Sequence, residues 1–192
     1  MPILPALAGE LKSYTERLFS FPNVGTLTKE DAIKALTIPI HRESEEIELA
    51  AAEFIFESTG GYPYFIQEWG ARSWIATPDG EIISRKIVES ATESVIRCLD
   101  ESFFRVRYDR FTPGEKVFLR YMAEIYQGEP IKMEQLAKAM GKKPETLSQV
   151  KRLLEKKGAV YAPRYGVFDF TVPLFDAFMR RIMPELPKTR NF

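Results

Sequence analysis

Residues 133–158 read MEQLAKAMGKKPETLSQVKRLLEKKG, and this stretch predicts two short helices joined by a tight turn. The first helix covers Met133 to Met140, after which Gly141 supplies the positive φ that commonly ends a helix. The second helix covers Pro144 to Lys157 and stops at Gly158. Its apolar residues recur at helical spacing, and we expect them to face inward: Leu147, Val150, Leu153 and Leu154.

The segments on either side extend this pattern. Thr112-Pro113-Gly114-Glu115 predicts a helix start in which Thr112 is the N-cap and Glu115 closes a capping box. This helix is expected to run to about Tyr126. Two strand-like segments, residues 159–162 and 167–172, flank a tight turn at residues 163–166. A last amphipathic helix is expected from Pro173 to Met183.

A helix, a short helix, a turn, a longer helix and a β-hairpin follow each other in a winged helix-turn-helix. We therefore predict such a module at roughly Thr112 to Phe178. In this motif the third helix enters the major groove of DNA by its N-terminal end, and the wing follows the backbone beside it.

Basic residues are concentrated in this part of the chain, although the formal net charge of the whole is zero. Residues 132–164 hold nine Lys or Arg and three Glu, so this segment is +6 and the remainder is −6. Lys and Arg suit phosphate contacts, and Thr and Gln suit base edges. The candidate DNA-binding residues are Lys142, Lys143, Thr146, Gln149, Lys151, Arg152, Lys156 and Arg164. The alternative is a solvated helix face on a module that docks protein or dimerises.

The first half of the chain predicts a helical bundle. The expected helices cover Glu10–Phe19, Thr28–Ile38 (ended by Pro39), an acidic stretch at residues 43–57, Tyr64–Ala76 and Ser84–Phe104. We therefore expect a mainly α-helical protein with a small β-hairpin wing. Its domains are a helical domain at residues 1–104 and a winged helix domain at residues 105–192.

No complete catalytic site is visible in the sequence, so we do not expect an enzyme. The phosphate-binding pattern Gly-x-x-x-x-Gly-Lys-Ser/Thr is absent, and so is an apolar strand ending in Asp-Glu that could hold Mg²⁺. The single histidine, His41, and the single cysteine, Cys98, cannot build a zinc site, and no second feature makes them a catalytic pair. We expect no metal and no cofactor.

The sequence also gives an expectation about location. No apolar run approaches the roughly 18 residues of a membrane span. One cysteine excludes an internal disulfide, which fits a reducing compartment. We therefore expect a cytoplasmic protein that makes no membrane contact.

Residues 59–70, TGGYPYFIQEWG, resemble the lid region of bacterial and archaeal AAA+/STAND-type ATPases, which carry a Gly-Tyr-Pro-Tyr-Phe-like signature there. Three further stretches are similar to the same family: residues 12–19, 99–107 and 170–175. The resemblance extends over nearly the whole chain. It is to the C-terminal part of such ATPases, namely the end of the nucleotide-binding core, the helical lid and an appended winged helix, without the P-loop core.

The resemblance implies that Gly61, Tyr62 and Pro63 face an adenine and that Arg17 lies near a nucleotide or a neighbouring subunit. From the residues alone, the same turn reads as a plain helix breaker whose tyrosines belong to the core. ATP hydrolysis is not expected in either case, because phosphoryl transfer depends on the phosphate cradle and its metal.

Three functional hypotheses follow. The leading one is a non-catalytic, ATPase-related protein whose winged helix binds DNA. The second is an interaction module that docks on itself or on a separate ATPase core through the surface around Tyr62–Trp74. The third is weak adenine-nucleotide binding through the Gly-Tyr-Pro turn.

Overall fold

The computed structural model describes residues 25–189. Their contacts divide into two units, Gly25–Arg105 and the residues from Val106 onward. The protein is mainly helical and has a small three-stranded antiparallel sheet, which confirms the predicted fold class. The predicted helix at Glu10–Phe19 and the basic residue Arg17 lie outside the described residues.

The first unit is made of helices. They are α1 (Lys29–Arg42), α2 (Leu49–Thr59), α3 (Pro63–Ala76), α4 (Arg85–Cys98) and a π-helical segment (Leu99–Phe104). Thr28 and Ser84 cap α1 and α4, since each side chain accepts a hydrogen bond from a first-turn N–H. The largest side chains of the core are Trp69, Phe65 and Phe104.

Helix α1 continues through Pro39, so the predicted stop at this residue is wrong. Proline has no N–H to donate to the carbonyl of Ala35, which costs one helical hydrogen bond. The next residue, Ile40, is buried. Its burial favours one more helical turn and offsets the lost bond.

The acidic stretch is not helical along its whole length, which corrects the predicted helix at residues 43–57. Ser44 has a positive φ, and Ile47 forms a parallel bridge with Ile83. The N–H of Glu48 donates to the carbonyl of Ile83 (3.0 Å), so this backbone is extended and α2 begins at Leu49. The extended pairing satisfies backbone groups and lets Ile83 be buried.

The second unit has a winged-helix-like order of elements. They are α5 (Arg105–Tyr108), α6 (Pro113–Ile125), β1 (Ile131–Lys132), α7 (Met133–Met140), α8 (Pro144–Lys156), β2 (Val160–Tyr161), β3 (Val167–Phe170) and α9 (Phe175–Ile182). The predicted capping box is present, because Thr112 Oγ1 accepts from the N–H of Glu115 while the Glu115 carboxylate accepts from the N–H of Thr112.

The sheet has the order β1-β3-β2, with both pairs antiparallel. Ile131 lies opposite Phe168 on one side of β3, and Val160 lies opposite Phe170 on the other. Strand β1 was not predicted. It has two residues, too few for an alternation to be read from the sequence, and it exists because β3 offers it a pairing edge.

The elements of this unit enclose one apolar core. Its members include Phe118, Leu119, Met122, Leu136, Leu147, Leu154, Phe168, Phe178 and Met179. Arg120 is buried with its guanidinium donating to the carbonyl of Met183 (2.6 Å), and the Tyr121 hydroxyl donates to that of Pro187 (3.1 Å). The segment after α9 is thereby held to α6.

None of the helices within residues 25–189 combines the length and the apolar character that crossing a membrane requires.

Candidate nucleic-acid interface

Helix α8 is held to its unit by one side and presents the opposite side to solvent. Leu147 and Leu154 are fully buried and lie seven residues apart, which places them on the same side of the helix. The prediction that Leu153 faces inward is wrong, because this side chain is exposed. It lies about 100° around the helix axis from Leu154, at roughly 3.6 residues per turn, and so falls outside the buried stripe.

The turn before α8 orients the start of that helix. Gly141 adopts the predicted left-handed conformation (φ 62°), and the N–H of Lys142 donates to the carbonyl of Ala137 (3.0 Å). Lys143 is the N-cap and Pro144 occupies the first turn. The N-terminal end of α8 therefore carries two lysines beside the positive end of its helix dipole.

The outer side of α8 forms a polar surface. Its exposed members include Thr146, Gln149, Arg152 and Lys156, which lie within about a third of the helix circumference. Glu145 is exposed on the same side. We call these five residues the outer face of α8. Within residues 25–189, no carboxylate lies at ion-pair distance from Lys142, Lys143, Arg152, Lys156 or Arg164.

Lys151 was predicted to face outward with these residues, and the structure places it elsewhere. Its ammonium lies 2.7 Å from the Glu155 carboxylate and 5.8 Å from the centre of the Phe168 ring, and its side chain is only 24% exposed. Lys151 thus belongs to the flank of α8 that faces β3. Its charge is offset by Glu155, so it adds little to a field that would attract a polyanion.

Lys157 contributes to the positive charge of the segment but is also paired. Its ammonium lies 2.7 Å from the carboxylate of Glu115, a residue that is only 3% exposed, and donates to the carbonyl of Arg110 (3.0 Å). The contact ties the C-terminal end of α8 to the capping box of α6. The sequence gives no signal for it, because the two residues are far apart along the chain.

The wing is the connection between β2 and β3. Residues 162–166 are all exposed, and Gly166 has a positive φ (81°) that allows the chain to reverse. Arg164 and Tyr165 lie at its tip. The base of the wing is fixed, because Val160, Val167 and Phe168 are buried in the core.

An acidic group lies at the base of the wing inside the sheet. Burial raises the pKa of Asp169, while hydrogen bonds with the Tyr126 hydroxyl and with the N–H of Phe170 act in the opposite direction. Burial, together with the Asp169 charge, raises the pKa of Tyr126 and of Tyr161. The hydrogen bonds from the Tyr126 hydroxyl and from the N–H of Phe170 stabilise the half-buried carboxylate of Asp169 in β3.

The predicted adenine-facing turn lies in the first unit and is packed against its neighbours. Gly61 has a positive φ (74°), and its carbonyl accepts from the N–H of Leu27 (2.8 Å). A Cβ on Gly61 would lie 2.5 Å from the carbonyl oxygen of Leu27. The Tyr62 ring lies 4.6 Å from Phe65 and 6.1 Å from Phe103, measured between ring centres. Adenine contact by Gly61, Tyr62 and Pro63 stays a prediction.

Two other residues considered in the sequence have ordinary positions. His41 is exposed in the last turn of α1, and Cys98 ends α4, where its sulfur accepts a hydrogen bond from Arg72 (3.0 Å). In the described part of the chain, no three His, Cys, Asp or Glu side chains are grouped so that they could hold a metal ion.

A family model and several solved structures are similar to this chain. A family model described as "Domain of unknown function (DUF8462)" matches residues 101–179, from the π-helical segment into α9. The search of curated proteins yields no match. Among solved structures, a mutant of Thermotoga maritima RuvB is similar with a TM-score of 0.39, 20% identity and 75% of this chain covered.

A second RuvB structure from Thermotoga maritima, titled a Holliday junction branch migration motor, is similar with a TM-score of 0.37 and 21% identity. In both cases this chain spans 46% of the length of the RuvB chain.

Proposed function

We propose that this chain is a non-catalytic DNA-binding protein whose winged-helix-like unit contacts duplex DNA through the outer face of α8 and through the wing. The observation that carries the proposal is the uncompensated positive charge around α8. Lys142 and Lys143 stand at its start and Arg152 and Lys156 on its outer face, while the two lysines that do have carboxylate partners, Lys151 and Lys157, point elsewhere.

The roles of the side chains follow from their chemistry. Lys142, Lys143 and Lys156 carry ammonium groups that attract phosphates without geometric selectivity, and the Arg152 guanidinium binds phosphate or a guanine edge in a bidentate manner. Thr146 and Gln149 lie between the ends of the charged surface and offer hydrogen bonds to base edges. Arg164, at the wing tip, supplies a phosphate contact.

The test is a fluorescence-anisotropy titration of labelled duplex DNA across a salt series. Counterion release predicts that log K falls linearly with log salt, with a slope of about −0.9 for each phosphate contact. Arg152→Ala combined with Lys156→Ala removes two contacts and is expected to reduce the slope by about 2 and the affinity by about tenfold.

The matched control is Lys34→Ala combined with Lys86→Ala, which removes the same charge from exposed helix positions in the first unit. Equal losses in the two double variants would show that only net charge matters. Absence of binding at low salt would refute the proposal outright.

Protein docking is the second candidate function, and the surface that favours it is smaller than the sequence suggests. Phe65, Ile66 and Trp69 are buried inside the first unit. Tyr64 and Ile75 remain exposed and lie eleven residues apart, which is three helical turns and therefore the same side of α3. Sedimentation velocity across a concentration series tests self-association. If the wild-type protein self-associates and the Tyr64→Ser, Ile75→Ser double variant does so more weakly, the result would support docking through α3.

A further inference from the structure

Tyr165 differs from the other tyrosines described in this structure in having its whole ring in solvent. Its side chain is fully exposed (104% of the reference area), although its neighbours in sequence lead directly into the buried strand β3. An aromatic ring normally gains stability by burial, so the folded chain obtains nothing from this position.

The backbone on either side of Tyr165 is conformationally restricted, and the tip carries positive charge. Pro163 restricts the backbone before it, Gly166 reverses the chain after it, and the flanking strands pair across the sheet. Arg164 is the only charged residue between residues 158 and 168. No carboxylate in this segment therefore opposes the approach of a polyanion.

We infer that Tyr165 stacks on an unpaired nucleobase, so that the ligand of this protein is duplex DNA with an adjoining single-stranded segment. The inference rests on the proposed function and narrows the class of DNA. An aromatic side chain stacks readily on unpaired bases because every base has a π face. In an intact duplex those faces are covered by neighbouring bases. Arg164, next to Tyr165, contacts a phosphate of the adjoining duplex, which both blunt and tailed DNA provide.

The two parts of the unit have separate tasks in this arrangement. The outer face of α8 binds the duplex, and the Tyr165 ring adds affinity only where the duplex ends in unpaired nucleotides. A blunt duplex satisfies the contacts of the outer face of α8 and of Arg164, but it offers Tyr165 no unpaired base. Affinity should therefore depend on the structure of the DNA as well as on its charge.

The experiment compares two DNA ligands with the same number of nucleotides, one a blunt duplex and one a shorter duplex with a single-stranded tail. Dissociation constants are measured by fluorescence anisotropy with the full chain. The wild-type protein is expected to bind the tailed ligand about tenfold more tightly than the blunt ligand. Tyr165→Ala should abolish this preference by weakening binding of the tailed ligand to the level of the blunt duplex, whereas Tyr165→Phe should retain it.

Arg164→Ala serves as the matched variant at the tip. It should weaken binding of both ligands by the same factor, because a phosphate contact does not depend on pairing. If the wild type binds both ligands equally, or if Tyr165→Ala retains the preference, the inference is overturned while the proposed function stands. If neither ligand binds, the proposed function itself fails. Loss of the preference in Tyr165→Phe would also overturn stacking as its cause.

Discussion

Two turns in this protein lead from a left-handed glycine into a helix that begins with proline. The glycine of the first turn is buried, and the glycine of the second is exposed to solvent. In the first unit Gly61 precedes Tyr62 and Pro63, and in the second Gly141 precedes two lysines and Pro144. The backbone of Leu27 covers Gly61, whereas nothing lies within 4 Å of the position of a Cβ on Gly141.

The residues that follow the two glycines differ in the same way, since one set is packed and the other is exposed or partly exposed. Tyr62 packs on Phe65 and Phe103 within the first unit, while Lys142 and Lys143 have no carboxylate partner in the described residues. The local turn chemistry therefore predicts where a helix starts but not what the start is used for. One turn joins the packing of its unit, and the other presents charge.

The largest effect is expected on stability when each of the two glycines is replaced by alanine. Gly61→Ala combines an unfavourable φ with a contact against the Leu27 carbonyl, and we expect the free energy of unfolding to fall by about 3 kcal/mol. Gly141→Ala introduces only the backbone strain, about 1 kcal/mol. Urea unfolding followed by circular dichroism measures both. Equal losses would mean that the approach of Leu27 is not a constraint.

The next largest effect is expected on DNA binding when the two lysines of the second turn are replaced. Lys142→Ala combined with Lys143→Ala should not lower the unfolding midpoint, because neither side chain contributes to the core and both cations lie at the positive end of the α8 dipole. It should weaken DNA binding by about tenfold and lower the salt slope by about 2. Anisotropy titration measures this, with Lys34→Ala plus Lys86→Ala as the control for charge. A loss of stability without a loss of affinity would contradict the division between the turns.

A smaller effect of the opposite sign is expected at Glu145. Its carboxylate lies on the outer face of α8 and repels phosphates that approach this surface. Glu145→Gln should increase affinity for duplex DNA by about threefold at low salt, and the gain should shrink as salt screens the repulsion. Glu134→Gln, at an exposed position in α7, is the comparison. A decrease in affinity would instead identify Glu145 as a base-contacting residue.

No measurable effect is expected from nucleotide at the first turn. Gly61 is covered by Leu27 and the Tyr62 ring is engaged with phenylalanines, so little of this turn is available to an adenine. ATP and ADP should leave the thermal unfolding midpoint unchanged, whereas duplex DNA should raise it through preferential binding to the folded state. Stabilisation by either nucleotide, lost in Tyr62→Ala, would reverse the assignment of the two turns.

Features that depend on residues close together in the chain match the predictions from sequence. Helix α7 has the predicted bounds, α8 begins at Pro144 as predicted, and the capping box at Thr112 is present. Each depends on residues within four positions of one another, whose steric limits and hydrogen bonds act before any distant contact forms. Helical periodicity also predicted the exposure of Thr146, Gln149, Arg152 and Lys156, but not the position of Lys151.

The predictions were wrong where contact with a distant residue outweighed the local preference of the backbone. Pro39 is passed because the next residue finds a place in the core, and the acidic stretch before α2 is extended because it pairs with Ile83. Neither the core around Ile40 nor the pairing with Ile83 can be inferred from the neighbouring residues in the sequence. Most local propensities amount to fractions of a kcal/mol, and even proline inside a helix costs about 3 kcal/mol, so the burial of one or two apolar side chains offsets them.

The sequence by itself determined the order of helices α6, α7 and α8 and of the hairpin that follows, the glycine turns, and the concentration of basic residues around α8, because these depend on near neighbours in the chain. Only the tertiary structure decided which of those charges remain uncompensated. It paired Lys157 with Glu115, turned Lys151 toward Phe168 in β3, and left Tyr165 in solvent. The physical reason is that burial and ion pairing depend on distances between residues that folding brings together, and the interaction of two charges varies steeply with that distance and with exposure to water.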